Sequence, residues 1–295
     1  YMHLGIGSGW RNARQTLVGE AGERGGEPFL RLCRAPPCRR RCRASRRRGL
    51  PVGWCARVGA AMENYKLGKR IGRGNYGTVY VALDKRNNRW YCLKTIVMEA
   101  HSDEEREKAQ QEVEVLRGLD HPGIVRYHEH FVNEDSLCVV MAYCEGGDLA
   151  QLIKKRAKAE AHFAEHEVIN YFVQIVMALH YVHQKRILHR DLKTQNIFIS
   201  RGRDGSLGLI KLGDFGIAKV LEGSYAAAST VIGTPYYMSP EVCQGQKYGA
   251  ESDVWALGCI LYEMCALQQA WNGSNLLGLV YKIVQERQPP LPEQL

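Results

Sequence analysis

The stretch that decides the fold is HRDLKTQN, at His189–Asn196, which lies between two short apolar runs. So many ionic and amide groups in one short stretch are costly to bury unless each has a partner. A carboxylate at Asp191 can orient an incoming hydroxyl group and accept its proton. Lys193 can offset charge on a phosphoryl group, and Asn196 can ligate a divalent cation. The stretch therefore indicates a site that handles phosphoryl groups.

A glycine-rich segment, GRGNYGTV, lies upstream at Gly72–Val79. Glycines at this spacing let the backbone approach phosphate oxygens and point amide N–H groups at them. The segment continues into a strand at Val79 rather than into a helix, which argues against a dinucleotide-binding site. Taken alone, the motif leaves open a glycine-containing hairpin without a ligand.

A lysine interrupts the apolar strand that follows, at Lys94 between Leu93 and Ile96. A lysine that points inward needs an anion, whereas one that points outward is an ordinary surface side chain, and the strand alone leaves both open. Glu112 lies on the inner stripe of the predicted helix Ser102–Leu119. A Lys94–Glu112 pair would hold the lysine ready for nucleotide phosphates.

Two further motifs follow the catalytic stretch. Asp214-Phe215-Gly216 comes directly after a predicted strand, where Asp214 would hold Mg²⁺ bridging nucleotide phosphates. Gly233–Glu241, which reads GTPYYMSPE, closes a polar loop from Glu222 to Ile232. Any one motif could arise by chance, but all of them in this order and on these element types could not.

The periodicity predicts a β-rich first half and a helical second half. The predicted strands are Tyr65–Ile71, Thr78–Leu83, Trp90–Val97, Ile124–Phe131, Leu137–Tyr143, Ile197–Ser200 and Leu209–Leu212. After Ser102–Leu119, the predicted helices are Asp148–Lys158, Glu165–Gln184, Ser252–Leu267 and Asn275–Gln285. A strand-rich lobe joined to a helical lobe predicts a cleft between them.

Residues 65–295 resemble a eukaryotic protein kinase domain. Several stretches narrow the resemblance to the NIMA-related (NEK-type) serine/threonine kinases: Glu145–Leu149, Val173–Ile175, His189–Asn196, Leu212–Asp214, Ile232–Glu241 and Asp253–Cys259. The resemblance implies an α+β, bilobal protein kinase fold with ATP in the cleft. The small β-rich N-lobe with one helix would span about 62–143, and the hinge and mostly helical C-lobe about 144–295.

The resemblance also implies site roles. The catalytic residues are Asp191, the base or orienter of the substrate hydroxyl, with Lys193 and Asn196. Asn196 and Asp214 would hold the metal, Mg²⁺ or alternatively Mn²⁺. The residues expected to bind ATP are Ile71, Gly72, Gly74, Gly77, Val79, Lys94, Glu112, Met141, Ala142, Cys144, Asp148, Phe198 and Asp214.

Individual residues of that set are expected to contact different parts of the nucleotide. Met141 stands at the gatekeeper position, and the backbone groups of Ala142 and Cys144 would meet the adenine edge. Asp148 is a candidate for the ribose hydroxyls. Cys92 replaces the usual small Ala above the adenine, and Phe198 would pack beneath it.

Substrate class and regulation follow from the same resemblance. Lys193, together with Thr234, favours serine and threonine acceptors in protein substrates, and Thr234 would position the substrate. Thr230 matches the activating phosphosite of NIMA-related relatives, with Ser229 and Ser224 as further candidates. Arg190 is the natural cation for a phosphate there. The alternative is that these hydroxyl residues are ordinary loop residues.

Charge is divided unevenly along the 295 residues, whose net charge is +9. Residues 1–61 hold 13 Arg, no Lys and three acids, whereas residues 62–295 are close to neutral. We expect 1–61 to be an Arg/Gly-rich disordered leader, or a segment that is not native to the protein, because it begins with Tyr and Met62 opens the patterned part. The alternative is a basic arm that binds nucleic acid, which we do not expect.

Features that the sequence lacks bear on its remaining partners and on its compartment. No run approaches 18 apolar residues and the first thirty residues lack a signal-peptide core, so we expect no membrane partner. Scattered cysteines fit reduced thiols in a cytoplasmic protein. By family analogy the cell cycle and the centrosome, cilium or microtubules are expected settings, with oligomerisation through regions outside this sequence.

Two expectations concern the last helices of the kinase domain and its set of catalytic residues. The chain stops short of two helices that kinase domains usually add, including an Arg that pairs with Glu241, so we expect Glu241 to be buried and unpaired. An inactive pseudokinase scaffold is the alternative to an active enzyme. Such a scaffold typically lacks Lys94, Asp191 or Asp214, and all three are present.

Overall fold

The structure, a computed structural model, describes residues 62–74, 77–98, 102–202, 207–215, 236–286 and 289–291. The leader predicted at 1–61 lies outside the described residues. So do the loop candidates Ser224, Ser229 and Thr230 and the substrate-positioning candidate Thr234.

An antiparallel five-stranded sheet forms the first half, in the order β1-β2-β3-β5-β4. Its strands are β1 (Tyr65–Gly74), β2 (Gly77–Asp84), β3 (Arg89–Val97), β4 (Tyr127–Asn133) and β5 (Ser136–Ala142), and helix α1 (Asp103–Arg117) lies between β3 and β4 in the chain. Residues in left-handed conformation make the tight turns, Asn88 before β3 and Glu134 before β5. The predicted strand from Ile124 begins only at Tyr127, because Ile124 instead makes an isolated bridge to Leu212.

Alternate residues of β3 serve opposite faces of this sheet. Leu93 is fully buried in a small core with Tyr65 and Phe131. The next residue, Lys94, shares the other face with Val79 and Val139, its cross-strand partners. The strand therefore turns Lys94 away from the small core and toward the cavity described below.

The second half is mainly helical, as the sequence predicted. Its elements are α2 (Leu149–Lys158), α3 (Glu165–Gln184), a 3-10 turn (Thr194–Asn196), β6 (Ile197–Arg201), β7 (Leu207–Leu212), α4 (Pro240–Cys243), α5 (Ala250–Ala266) and α6 (Leu276–Gln285). The apolar stripe of α3, which includes Ile175, Leu179 and Val182, packs into one core with Ile199 and Ile260. The short helix α4 was not predicted. None of the helices among the described residues is both long and apolar enough to cross a bilayer.

Backbone hydrogen bonds tie both halves to the β6–β7 hairpin. Gly146 N donates to the Ile199 carbonyl and Ile199 N to the Gly147 carbonyl, each at 2.9 Å. A Cβ at Gly146 would lie 2.5 Å from that carbonyl oxygen, and Gly147 has a φ of 78°, so both glycines are required there. On the other side, Val125 N donates to the Leu212 carbonyl at 2.8 Å. The hairpin thus fixes the segments that enter and leave the sheet.

Glu241 corrects one expectation from the sequence. It is half-buried but not unpaired, because Ser252 Oγ donates to its Oε1 at 2.6 Å. Burial acts to raise the pKa of Glu241, yet the hydrogen bonds it accepts, led by that from Ser252, bring the pKa below its usual value. A hydroxyl on α5 therefore fills part of the role that the sequence assigned to a distant arginine.

A polar network closes the far end of the sheet. Asp84 is buried and accepts hydrogen bonds from the guanidinium of Arg86, at 2.8 and 2.9 Å. Arg86 also donates to Glu129 and to Tyr65, at 2.8 Å to the tyrosine oxygen. Arg86 therefore joins β1, β2 and β4 through one planar cation.

Replacing Arg86 tests this network. Arg86→Ala is expected to lower the free energy of unfolding by about 2 kcal/mol, because Asp84 stays buried after losing its cation. Urea denaturation followed by circular dichroism measures it. Arg89→Ala removes an exposed arginine at the other end of the same turn and should change that free energy by less than about 0.5 kcal/mol. Equal losses in the two variants would contradict the assignment.

The same network has a pH signature. Hydrogen bonding to Arg86 lowers the pKa of Asp84; the pKa of Glu129 is also lowered, since bonds from Arg86 and Tyr65 outweigh its burial. Their stabilisation is thus complete above the unfolded-state pKa of about 4 and is lost as pH falls through the lowered values. Arg86→Ala should flatten this acid limb in urea denaturation repeated from pH 7 to pH 3.

Candidate active site

Two predicted catalytic side chains, Lys193 and Asn196, converge on the carboxylate of the third, Asp191. Lys193 Nζ donates to Asp191 Oδ2 at 2.7 Å. Asn196 Nδ2 donates to the same oxygen at 2.8 Å and to the Asp191 carbonyl at 2.7 Å. Local chain geometry makes this possible, because the 3-10 turn at Thr194–Asn196 folds Asn196 back over Asp191. The carboxylate is held in one orientation by an ammonium and an amide.

The loop that carries Asp191 is anchored by hydrogen bonds to a fully buried carboxylate, Asp253. The backbone N–H groups of His189 and Arg190 donate to it at 2.9 and 3.1 Å. Two side-chain partners complete its shell: Tyr248 donates its hydroxyl at 2.6 Å, and His183 Nε2 lies 2.7 Å away. Asp253 sits in the first turn of α5, where the helix dipole favours an anion.

Sequence reasoning quoted Asp253 only as the start of a stretch that carries the resemblance, and it missed His183 and Tyr248. The usable signal was a histidine on the otherwise apolar inner face of α3, which must find a polar partner if it turns inward. Tyr248 gave no such signal, since it lies in an irregular segment before α5. Anchoring two successive amides forces Arg190 into the left-handed region, with a φ of 65°.

A hydrophobic stack links this anchor to the sheet. The His189 ring lies 4.7 Å from the Phe215 ring, centroid to centroid. Phe215 lines the same cavity as Leu116 and Tyr127. Burial lowers the pKa of His189, so its imidazole is neutral at pH 7 and acts as a packing group.

Lys94 points inward and has an anionic partner. Its ammonium forms an ion pair with Asp214 Oδ1, which settles the choice between an inward and a surface lysine. Asp214 has a φ of 55°, in the left-handed region. The side chain of Glu112 lies outside the described residues, so the Lys94–Glu112 pair stays a prediction.

The cavity that these residues line shares only Lys94, Met141 and Asp214 with the residues expected to bind ATP. Its walls include Lys94, Val125, Met141, Gly213 and Asp214. Gly213 N donates to the Asn196 carbonyl at 3.0 Å, which brings Asp214 next to the catalytic loop. The two predicted metal-binding residues thus lie on adjacent, hydrogen-bonded segments.

The residues expected at the adenine edge follow from the register of β3 against β5. Cys92 pairs with Met141, and Ala142 N donates to the Arg126 carbonyl at 2.8 Å, which fixes the strand end before Cys144. Burial, and secondly the charge of Asp214, raises the pKa of Cys92 to about 12; burial raises that of Cys144 to about 11. Both thiols are therefore neutral and act as apolar surface.

Asp148 and Phe198 meet at an isolated bridge. Asp148 caps α2: Gln151 N donates to its Oδ1 at 2.8 Å, and the Gln151 amide donates to its other oxygen. The sequence missed this cap, and the ribose role of Asp148 stays a prediction. Phe198 lies against Gly213, where an added Cβ would come within 2.9 Å of its ring.

The glycine-rich segment forms the β1–β2 hairpin. Gly72 pairs with Val79 and Gly74 with Gly77, while Ile71 is exposed at the strand. An added Cβ at Gly77 would lie 1.6 Å from the Thr95 carbonyl oxygen, so the sheet tolerates only glycine there. At Gly72 the nearest atom would be 3.5 Å away. A close approach to the neighbouring strand therefore requires glycine at Gly77 but not at Gly72.

The donor chemistry fits a hard divalent cation. Asn196 uses its amide nitrogen on Asp191, so its oxygen is the atom suited to a metal, and Asp214 adds a carboxylate. Oxygen ligands with water and phosphate completing the shell suit Mg²⁺. Among the described residues, no group of three or more His, Cys, Asp or Glu side chains could hold a metal ion.

Comparisons with known proteins agree with this geometry. Residues 65–292 match the family model described as protein kinase domain. Serine/threonine-protein kinase Nek1 of Mus musculus is 45% identical over 230 residues, 78% of this chain and 18% of Nek1. Nek11 of Homo sapiens is 42% identical over 235 residues (79% and 36%), and Nek4 of Mus musculus 46% over 224 (76% and 27%).

The comparisons confirm the resemblance and the fold class that the motifs predicted. The chain spans less than two fifths of the length of each of these relatives. The similarity therefore concerns their catalytic region.

Replacing Gly77 tests the glycine assignment. Gly77→Ala is expected to lower the free energy of unfolding by about 2 kcal/mol or more, because the new methyl group would overlap a backbone carbonyl of β3. Thermal and urea denaturation measure it. Gly72→Ala is the matched control and should change it by less than about 1 kcal/mol. The same loss in both variants would show that the close approach at Gly77 is not what the sheet requires.

Proposed function

The chain belongs to the protein kinase domain family, and from this membership we propose that it transfers the γ-phosphoryl group of ATP to serine and threonine hydroxyls of proteins, as a NIMA-related kinase. The convergence of Lys193 and Asn196 on Asp191 Oδ2 carries the proposal. A carboxylate held in this way can orient an acceptor hydroxyl and take up its proton as the phosphoryl group leaves ATP.

Two lysines would offset the negative charge of the ATP phosphates, Lys193 at the transferred group and Lys94 at the others. Lys193 lies beside Asp191 and offsets negative charge as it develops. Lys94, now paired with Asp214, would contact the α- and β-phosphates when ATP is present, with Glu112 as its further partner. Asn196 and Asp214 would hold Mg²⁺, with Mn²⁺ as the alternative; the metal supplies neutralisation of the phosphate charge.

The nucleotide site follows from the same lobe geometry. Glycines 72, 74 and 77 with Ile71 and Val79 would cover the phosphates and the base, while the backbone of Ala142 and Cys144 binds the adenine edge. Cys92, a neutral and partly exposed thiol, would form the ceiling of the adenine site opposite Phe198. The gatekeeper Met141 separates this site from the cavity behind it.

A phosphorylation assay distinguishes an active enzyme from an inactive scaffold. Asp191→Asn is expected to lower kcat for phosphorylation of casein by about 10²-fold or more, because it removes the proton acceptor. Incorporation of labelled phosphate from γ-labelled ATP measures it. Asp135→Asn, an exposed site in the β4–β5 turn, is the matched control and should keep full activity.

ATP affinity in the same variants completes the test. Asp191→Asn should bind ATP within about twofold of the unmodified chain, since the adenine contacts are remote from Asp191. If the unmodified chain binds ATP but transfers no phosphate, the protein is a scaffold and the proposal fails.

We further propose that phosphorylation of Thr230 activates the enzyme, with Arg190 as the phosphate's cation. Thr230→Ala is expected to lower kcat by about tenfold, because the loop phosphate and its charge-assisted hydrogen bonds are lost. Loop phosphate is mapped by mass spectrometry alongside the activity assay. Ser224→Ala and Ser229→Ala are the controls, and a loss confined to either of them would assign the site to that serine instead.

The setting of the protein is proposed on chemical grounds. Six cysteines among the described residues are free thiols, which fits a reducing, cytoplasmic compartment. We propose that residues 1–61 form a leader separate from the kinase domain at 62–295. Centrosomal, ciliary or microtubule association and a role in the cell cycle rest on the similarity to Nek kinases alone.

A further inference from the structure

The cap of α2 includes a second hydrogen bond that capping alone does not require. Asp148 accepts the backbone amide of Gln151 on Oδ1 at 2.8 Å, which is the capping bond. The side-chain amide of Gln151 donates to the other oxygen, Oδ2. Only the first of these bonds satisfies an amide at the open end of the helix. The second fixes the orientation of the carboxylate and adds nothing to the cap.

Gln151 is exposed, yet its side chain is folded back over Gly147. Its Oε1 would lie 3.4 Å from a Cβ added at Gly147, a residue that is itself held by the bond from Ile199 N to its carbonyl. A glutamine fixed in this way loses side-chain entropy, and one surface hydrogen bond returns only a little stability. The stability of the fold therefore gives little reason for this arrangement.

Asp148 lies at the edge of the proposed nucleotide site. It forms an isolated antiparallel bridge with Phe198, the residue expected beneath the adenine. The Phe198 ring lies against Gly213, the residue before Asp214. Asp148 is half-buried, so its carboxylate is still accessible to a ligand. A polar acceptor thus stands beside the wall on which the base is proposed to rest.

The hydrogen bonds to Asp148 leave a defined pair of acceptor positions. A carboxylate has about four such positions, two on each oxygen. Among the described residues only Gln151 donates to this carboxylate, and it takes one position on each oxygen. The remaining two lie side by side on one planar group, which matches two hydroxyl donors on neighbouring carbon atoms. The 2′- and 3′-hydroxyls of a ribose are such a pair, whereas a deoxyribose offers only one of them.

We propose that Gln151 is a positioning residue for the nucleotide sugar, which holds the Asp148 carboxylate so that its two remaining acceptor positions receive the cis-diol of a ribonucleotide. The inference rests on the proposed function and adds to it the sugar selectivity of the nucleotide site and the residue that sets this selectivity. The sequence named Asp148 for the ribose but not Gln151, because an exposed glutamine on a helix carries no distinguishing pattern.

The test compares ATP with 2′-deoxy-ATP and 3′-deoxy-ATP in the full 295-residue chain. Binding is measured by calorimetry, and kcat and KM are measured for phosphorylation of casein. Gln151→Leu removes the side-chain bond but keeps the backbone amide that completes the cap. Asp148→Ser keeps a capping hydroxyl and removes the carboxylate. Gln184→Leu is the matched control, because Gln184 is an exposed helical glutamine whose side chain instead contacts His180, at 2.9 Å.

The unmodified chain should bind ATP about tenfold more tightly than either deoxy analogue, the effect of one hydrogen bond to a charged acceptor. Gln151→Leu should weaken ATP binding by about fivefold and analogue binding by less than about twofold, because a carboxylate that turns freely no longer presents both acceptors together. Asp148→Ser should abolish the preference, and adding Gln151→Leu to it should change nothing further. Gln184→Leu should match the unmodified chain.

The kinetic constants should divide in the same way. In Gln151→Leu, KM for ATP should rise by about fivefold, while kcat at saturating ATP stays within about twofold, since the side chains around Asp191 are unchanged. A residue that only supported the fold of α2 would not change the ratio between ATP and its deoxy analogues.

Three results would overturn the inference. They are equal weakening of ATP and both analogues in Gln151→Leu, a sugar preference that this variant leaves intact, and a double variant whose loss is the product of the two single losses. Failure of the proposed function is recognised separately. A chain that shows the expected sugar preferences in calorimetry but transfers no phosphate to casein supports the role of Gln151 and contradicts the kinase activity.

Discussion

The site depends on the hydrogen bonds between Asp253 and the backbone amides of His189 and Arg190. A fully buried carboxylate loses its hydration, and four hydrogen bonds, two of them from His183 and Tyr248, offset that loss. Because two successive amides point at one group, the backbone must bend sharply, and the strain is taken up at Arg190. The residue after that bend is Asp191, so the orientation of the carboxylate proposed as catalytic is set by the packing of α5 beneath it.

A series of short contacts connects this anchor to the other side chains of the site. The turn at Thr194–Asn196 returns Asn196 to Asp191, the Gly213 amide bonds to Asn196, and Asp214 follows directly. Lys94 reaches Asp214 from the sheet, across the join between the two halves. Each step places a charged group next to a partner of opposite sign or an amide, so no ionic group of this series is buried alone. The hydrophobic contact of His189 with Phe215 keeps these segments packed on one side.

Helix α5 supplies two acids in opposite electrostatic settings. Asp253 lies in the first turn, where amides and the helix dipole favour its charge, while Glu263 lies near the end, where burial raises its pKa. The first arrangement stabilises the loop that it holds. The second has two hydroxyl contacts, from Thr194 and Tyr237.

The sequence by itself determined the elements, the motifs and the kind of chemistry. Periodicity gave α3 at Glu165–Gln184 and most strands to within a few residues, because local patterns of apolar side chains reflect which face is buried. The identity of contacts between distant residues was decided only by tertiary structure. Lys94 meets Asp214, 120 positions away, Glu241 meets Ser252, and Thr194 meets Glu263, 69 positions away. Periodicity carries no information about such pairs, since they depend on how whole elements pack and on which buried polar group lies nearest once they do.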